Sequence, residues 1–148
     1  MITYQQEFSY TLRGEIDSLI DQEWEEIGDE PDIKPDIDWE QVALMEEVGM
    51  LLAFTARDDG KLVGYCLVTK SVGLANKALV IAESQALFVS KEHRGGRVAI
   101  NIIKFAEKCL KEDGVNRFNI NSSAYIDLTP LMNRLGFKKI EVKFGRTL

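Results

Sequence analysis

The pattern of apolar and polar positions divides the chain into strands and helices in a definite order. Alternation over residues 2–9 predicts a first strand. Ile16, Leu19, Ile20 and Trp24 recur at helical spacing, so residues 12–27 predict a helix that Ser9 or Thr11 can cap, with Glu15, Asp17, Asp21, Glu25 and Glu26 on its wet face. Gly28 stops it, and residues 29–36, with Pro31 and Pro35, cannot continue it. Asp38 caps a second helix through Glu47, with Trp39, Val42, Ala43 and Met45 available for packing. Residues 50–57 and 61–70 are apolar runs of strand length joined by the turn signal Asp58-Asp59-Gly60, and a polar connection leads to a third run over 79–89. Val98, Ile102, Phe105, Ala106, Cys109 and Leu110 then form a helical stripe, with Lys104, Lys108 and Lys111 on the wet side. After Gly114 come a strand over 115–121, a short helix over 128–135 ending at Gly136, and a closing strand over 137–144. The strand over 115–121 is expected parallel to the one before it, because a helix crosses between them.

Composition narrows the class. At 148 residues the chain is most simply one domain that buries roughly two thirds of its unfolded surface. Cys66 and Cys109 sit inside apolar patterns, away from any metal-binding spacing, and read as small core residues in a reducing compartment; no metal is expected. No leader pattern and no run of membrane-spanning length is seen, which points to a soluble, cytoplasmic protein without a membrane partner. The net charge of −6 is unevenly spread: residues 1–47 hold 15 acidic and 2 basic side chains, the rest 9 and 16. A basic half suits an anionic cofactor and an acidic half a cationic partner, unless the acidic residues are only solvated helix faces. The lysines are scattered without interleaved aromatics, so nucleic acid is not an expected partner.

The chemistry concentrates where the third apolar run meets the striped helix. His93, Arg94, Gly95, Gly96 and Arg97 form a basic, glycine-containing turn that opens directly into that helix. The first N–H groups of a helix lack intrahelical partners and lie at the positive end of its dipole, so a turn without bulk lets a phosphate approach them. Gly95 and Gly96 remove the bulk, and Arg94 and Arg97 add charge that pairs with phosphate. Neither GxGxxG nor GxxxxGK[ST] is present.

The run from Val89 through Arg94 to Ala99 resembles the acetyl-CoA signature [Q/R]-x-x-G-x-[G/A] of the GCN5-related N-acetyltransferases (GNAT), with Arg94 first, Ala99 last and Arg97 where the family has its middle glycine. The element order resembles that family over nearly the whole chain, and Leu131-Met132-Asn133-Arg134-Leu135-Gly136-Phe137 is similar to its ending. The short chain and compact loops resemble small phage-encoded members. The resemblance implies an α/β (α+β) fold, the GNAT acyl-CoA N-acyltransferase fold, with a central mixed six-stranded sheet flanked by about four helices in a single domain. It also implies acetyl-CoA as cofactor. The pyrophosphate would rest on N–H groups of Arg94, Gly95, Gly96, Arg97, Val98 and Ala99; a bulge at Leu87, Phe88 and Val89 would carry the pantetheine arm; and Asn121 or Ser122 would border the thioester.

Attack on a thioester needs a neutral amine, hence a base, and an acid can assist the departing thiolate. Glu83 matches by position the catalytic glutamate of histone-type members, and a carboxylate inside an apolar run is costly unless paired or functional. It serves as the base or else points to solvent or into an ion pair. Many members carry a tyrosine where this chain has Met132, which cannot donate a proton. Tyr125, in the loop after the 115–121 strand, is then either the acid or a packing tyrosine. His93, the sole histidine, reads as a solvent-facing turn residue. Two functions follow from the resemblance: an acetyl-CoA-dependent N-acetyltransferase acting on a primary amine of a cationic small molecule or of a protein lysine or N-terminus, or a catalytically inactive binding protein whose acidic helices dock a basic partner. Members of this family often dimerise through the region of the final strand, so the resemblance also suggests a homodimer.

Overall fold

The computed structural model describes residues 1–27, 33–124 and 126–148. The chain runs β1 (Ile2–Glu7), α1 (Ser9–Ile27), α2 (Trp39–Glu47), β2 (Leu51–Asp58), β3 (Lys61–Val72), β4 (Val80–Val89), a 3-10 turn (Lys91–His93), α3 (Val98–Glu112), β5 (Arg117–Asn119) and α4 (Thr129–Arg134). The strands form one mixed sheet in the order β1-β2-β3-β4-β5, with β1 to β4 antiparallel and β5 parallel to β4.

The two sides of the sheet follow from strand alternation. Phe54, Ala56, Val63, Cys66, Val68, Ala82 and Val89 meet Val98, Ile102, Ala106 and Leu110 of α3 on one face. Leu62, Tyr65 and Phe88 meet Leu12, Ile16 and Leu19 of α1 on the other. Gly64 lets α3 sit close: a Cβ there would stand 2.9 Å from the Phe88 carbonyl oxygen and 3.1 Å from Ile102. Such a strand glycine marks a close approach.

Helix ends show how neighbouring elements complete one another. Asp38 caps α2 by accepting from the Gln41 N–H, as its sequence position implies. The cap of α1 is supplied from elsewhere: the buried Glu46 carboxylate, on α2, accepts from the Ser9 N–H at 2.6 Å and from the Ser9 hydroxyl. A carboxylate there also complements the helix dipole. Arg57 ties the β1/β2 edge to α1, donating to Glu7 at 3.0 Å and Glu15 at 2.9 Å.

Among the described residues the sheet has five strands rather than six. Residues 137–144 form no strand, and Ile140, Val142 and Phe144 of that segment are 64%, 58% and 91% exposed. Alternation makes a strand only where a neighbouring edge accepts its hydrogen bonds, and β5, with three paired residues, offers little edge. The 115–121 strand is correspondingly shortened to Arg117–Asn119.

Candidate active site

β4 and β5 diverge at one edge of the sheet. They pair only from Ile81/Arg117 to Glu83/Asn119, after which Asn121 turns its backbone and side chain onto β4. The Asn121 N–H donates to the Ser84 hydroxyl at 2.8 Å, and Nδ2 donates to the Ser84 carbonyl at 2.7 Å and to Glu83 Oε1 at 3.2 Å. Beyond this point the outer side of β4 has no strand partner among the described residues. Val89 points its carbonyl to that side, where Arg94 Nε donates to it at 2.8 Å, and alternation puts the Leu87 backbone on the same side.

The β4 bulge is displaced from the position expected for it. Leu87, Phe88 and Val89 hold regular register against Cys66, Tyr65 and Gly64, whereas the register slips between Ala86 and Ser84, leaving Gln85 as the extra residue. Gln85 Nε2 donates to Thr69 Oγ1 at 2.8 Å, which anchors the slip to β3. Ala82 faces α3, so its neighbour Glu83 faces the α1 side, half-buried, with Asn121 as its hydrogen-bond partner.

The turn after β4 is fixed at its start and open at its end. Ser90 donates its N–H to the Val63 carbonyl at 2.8 Å. Arg94 lies 5.1 Å over the Phe88 ring and donates from Nη2 to Glu26 at 2.8 Å; Lys91 stands 3.6 Å from the same carboxylate. The two cations offset the unfavourable charge of Glu26 in the last turn of α1. The Arg94 guanidinium is therefore spent on α1, and what the turn offers an anion is chiefly its backbone. His93, expected to face solvent, is instead half-buried and bridges Ser90 Oγ at 2.8 Å and Asp58 Oδ2 at 3.1 Å, which helps hold the Asp58 carboxyl below its usual range.

Gly95 has φ +80°, and a Cβ on Gly95 or Gly96 would meet nothing within 4 Å, so space is open in front of the backbone. α3 begins without a side-chain cap and without an acidic residue in its first turn. An uncapped helix start behind two open glycines fits a phosphate group. Arg97, at the position of the family's middle glycine, has φ −101° and an exposed side chain without an ion pair among the described residues. At that φ an L residue is unstrained, which explains why glycine is dispensable there. Val98 is buried against the sheet and Ala99 half-buried.

Tyr125 lies outside the described residues. Ser122 is engaged in its own loop, donating to the Ile126 carbonyl at 3.0 Å and accepting from the Leu128 N–H. Beneath the site, burial pushes the Glu23 carboxyl above its ordinary range; the Tyr65 hydroxyl, donating to it at 2.6 Å, pulls it back in part. Burial also pushes the Cys66 thiol up to about 12, which makes it inert.

Open space thus lies at the uncapped start of α3, beside the fork where β5 parts from β4. The acetyltransferase (GNAT) domain matches residues 34–147, and the chain belongs to that family of N-acetyltransferases, which use acetyl-CoA. No curated protein matches at the level of sequence. Among solved structures it is similar to a ribosomal-protein-alanine N-acetyltransferase from Brucella melitensis (15% identity, 99% of each chain, TM-score 0.77). It is similar to an aminoglycoside acetyltransferase from an uncultured soil metagenomic sample in complex with sisomicin (14% identity, 99% of this chain and 96% of that one, TM-score 0.79). It also resembles an acetyltransferase from Clostridium acetobutylicum with acetyl-CoA (14% identity, 99% of this chain and 96% of that one, TM-score 0.68). At these identities the likeness speaks for the fold.

Proposed function

We propose that the chain transfers an acetyl group to a primary amine of a cationic acceptor, with Glu83 as general base. The observation that carries this reading is the Asn121–Glu83 contact at the fork of β4 and β5. It fixes a half-buried carboxylate where the strands part, on the face away from α3.

Bound acetyl-CoA would supply the activated thioester, with its pyrophosphate held by N–H groups of Gly95 to Ala99, since the Arg94 N–H is bonded to the Lys91 carbonyl, and its arm by the outer backbone side of Leu87 and the Val89 N–H. Glu83 accepts the proton of the incoming amine directly or through one water. Asn121 orients that carboxylate through Nδ2. Met132 leaves the family's tyrosine position without an acid, so departure of the thiolate relies on Tyr125 or on solvent.

A cationic acceptor is favoured by the charge on the α1 side. Asp17, Asp21 and Asp36 line a cavity there together with Ile20, Pro35, Ile37 and Trp39. Negative walls raise the local concentration of a polyamine, an aminoglycoside or a lysine side chain. Glu83→Gln tests the reading with acetyl-CoA and a panel of these amines: turnover falls while coenzyme affinity stays, and unchanged turnover excludes Glu83 as base. A second copy of the chain is the partner we assign to the exposed Ile140, Val142 and Phe144. Light scattering on the protein truncated after Gly136 then reports a loss of mass relative to the full chain.

A further inference from the structure

The coenzyme turn needs its open half held in place by its closed half. Four tethers leave the closed half: the Ser90 N–H to β3, Arg94 and Lys91 to Glu26 of α1, and the ring of His93 to the end of β2. The Ser90 bond belongs to the sheet ladder, and Arg94 and Lys91 share one carboxylate on α1. The His93 ring ties the turn to a further element, β2.

The ring is held from both sides. An ionised Asp58 can only accept, so Nε2 carries the hydrogen and donates to Oδ2 at 3.1 Å. In the neutral ring Nδ1 then accepts from the Ser90 hydroxyl at 2.8 Å. Ser90 is buried and its N–H is bonded to β3, and Asp58 ends β2, so the ring links the turn to two strands of the sheet. The His93 N–H adds a bond to the Ser90 carbonyl at 2.9 Å, closing the 3-10 turn directly before Arg94 and Gly95. Two glycines follow, which without such an anchor would leave the phosphate-binding amides free to wander.

We propose that His93 is a positioning residue for the coenzyme: by bridging Ser90 to Asp58 it pre-orders the Arg94–Val98 backbone, so the loop loses less freedom when a pyrophosphate binds. The ring does not touch the reacting atoms. Its effect falls on coenzyme affinity and leaves the proton transfer at Glu83 unaltered. The inference rests on the reading of this turn as the coenzyme site.

The test uses the full chain with coenzyme A as the probe in calorimetry, and hydrogen exchange of the Gly95, Gly96 and Arg97 amides without coenzyme. In His93→Ala the dissociation constant rises on the order of three- to tenfold, because the loop now orders on binding, and the three amides exchange faster. His93→Gln, whose Nε2 can still donate to Asp58, recovers most of the affinity. Asp58→Ala weakens binding in the same direction, and the double variant His93→Ala/Asp58→Ala is no weaker than His93→Ala alone, since both remove one tether. Unchanged affinity in His93→Ala, or additive losses in the double variant, overturns the inference. Failure of the unaltered protein to bind coenzyme A overturns the coenzyme reading itself, and is seen before any variant is made.

Discussion

Asn121 donates from one nitrogen to both the Glu83 carboxylate and the Ser84 carbonyl, at 3.2 and 2.7 Å, and so joins the parting strands at the residue proposed as base. The second bond fixes the amide, and the amide fixes the carboxylate. Removing the carboxylate charge should lower kcat by about 10²- to 10⁴-fold. Glu83→Gln is expected to do this with an unchanged coenzyme dissociation constant, whereas Asn121→Ala lowers kcat less because the base remains. Equal losses of coenzyme affinity and of kcat in Glu83→Gln would mean that Glu83 shapes the cleft and takes no proton.

Arg97 separates a side-chain ligand from a backbone ligand. Its φ of −101° suits any residue, and its side chain has no ion pair among the described residues. Arg97→Gly is therefore expected to change acetyl-CoA affinity only modestly. Complete loss in calorimetry would show that the guanidinium itself holds a phosphate, for which the coenzyme's 3′-phosphate is the candidate.

Gly64 is expected to be intolerant of a methyl group. Its added Cβ would stand 2.9 Å from the Phe88 carbonyl oxygen, part of the backbone. Gly64→Ala should cost about 1–3 kcal/mol through overpacking, read as a fall of several degrees in Tm. An unchanged Tm would mean that β4 and α3 yield easily at this point.

Stability should respond to acid in two opposite ways. Hydrogen bonds from Arg57 hold Glu15 below its ordinary value of 4.5; at Glu7, burial raises the value, but Arg57 and Thr55 outweigh it and the net direction is also down. A depressed folded value means stability that is present above the unfolded value and lost as pH falls through the folded one. Arg57→Met should thus flatten the loss of Tm below pH 4.5. Glu23 has the opposite sign: burial raises it, so its ionised form burdens the folded state once pH rises through the folded value. Glu23→Gln is expected to raise Tm at pH 7 and to match the unaltered protein well below 4.5. A lower Tm for this variant at pH 7 would show that the charge is satisfied.

The layers of the fold were legible because they rest on short-range pattern. The α3 stripe, the Asp58-Asp59-Gly60 hairpin and the Asp38 cap depend on neighbours within a turn or two, and each occurs where the pattern puts it. What was not legible depends on distant partners. Nothing local says that Glu46 will cap α1, that Arg94 will turn to Glu26, or that His93 will reach Asp58 across 35 positions. The bulge at Gln85 was missed for the same reason, since register is a relation between two strands. The closing strand failed because Ile140, Val142 and Phe144 alternate correctly but meet no edge. A glycine inside a strand pattern, as at Gly64, is by contrast a local signal of close approach.

Titration of the protein with acetyl-CoA, alongside Gly96→Asp, tests most directly the claim that the turn from Arg94 to Ala99 is the coenzyme site. A side chain at Gly96 meets no neighbour, so the variant should fold while setting a carboxylate where phosphate is expected. Micromolar binding by the unaltered protein, about −8 kcal/mol, lost by tenfold or more in Gly96→Asp, is the predicted result. No binding at millimolar coenzyme, or equal binding by both proteins, would contradict it.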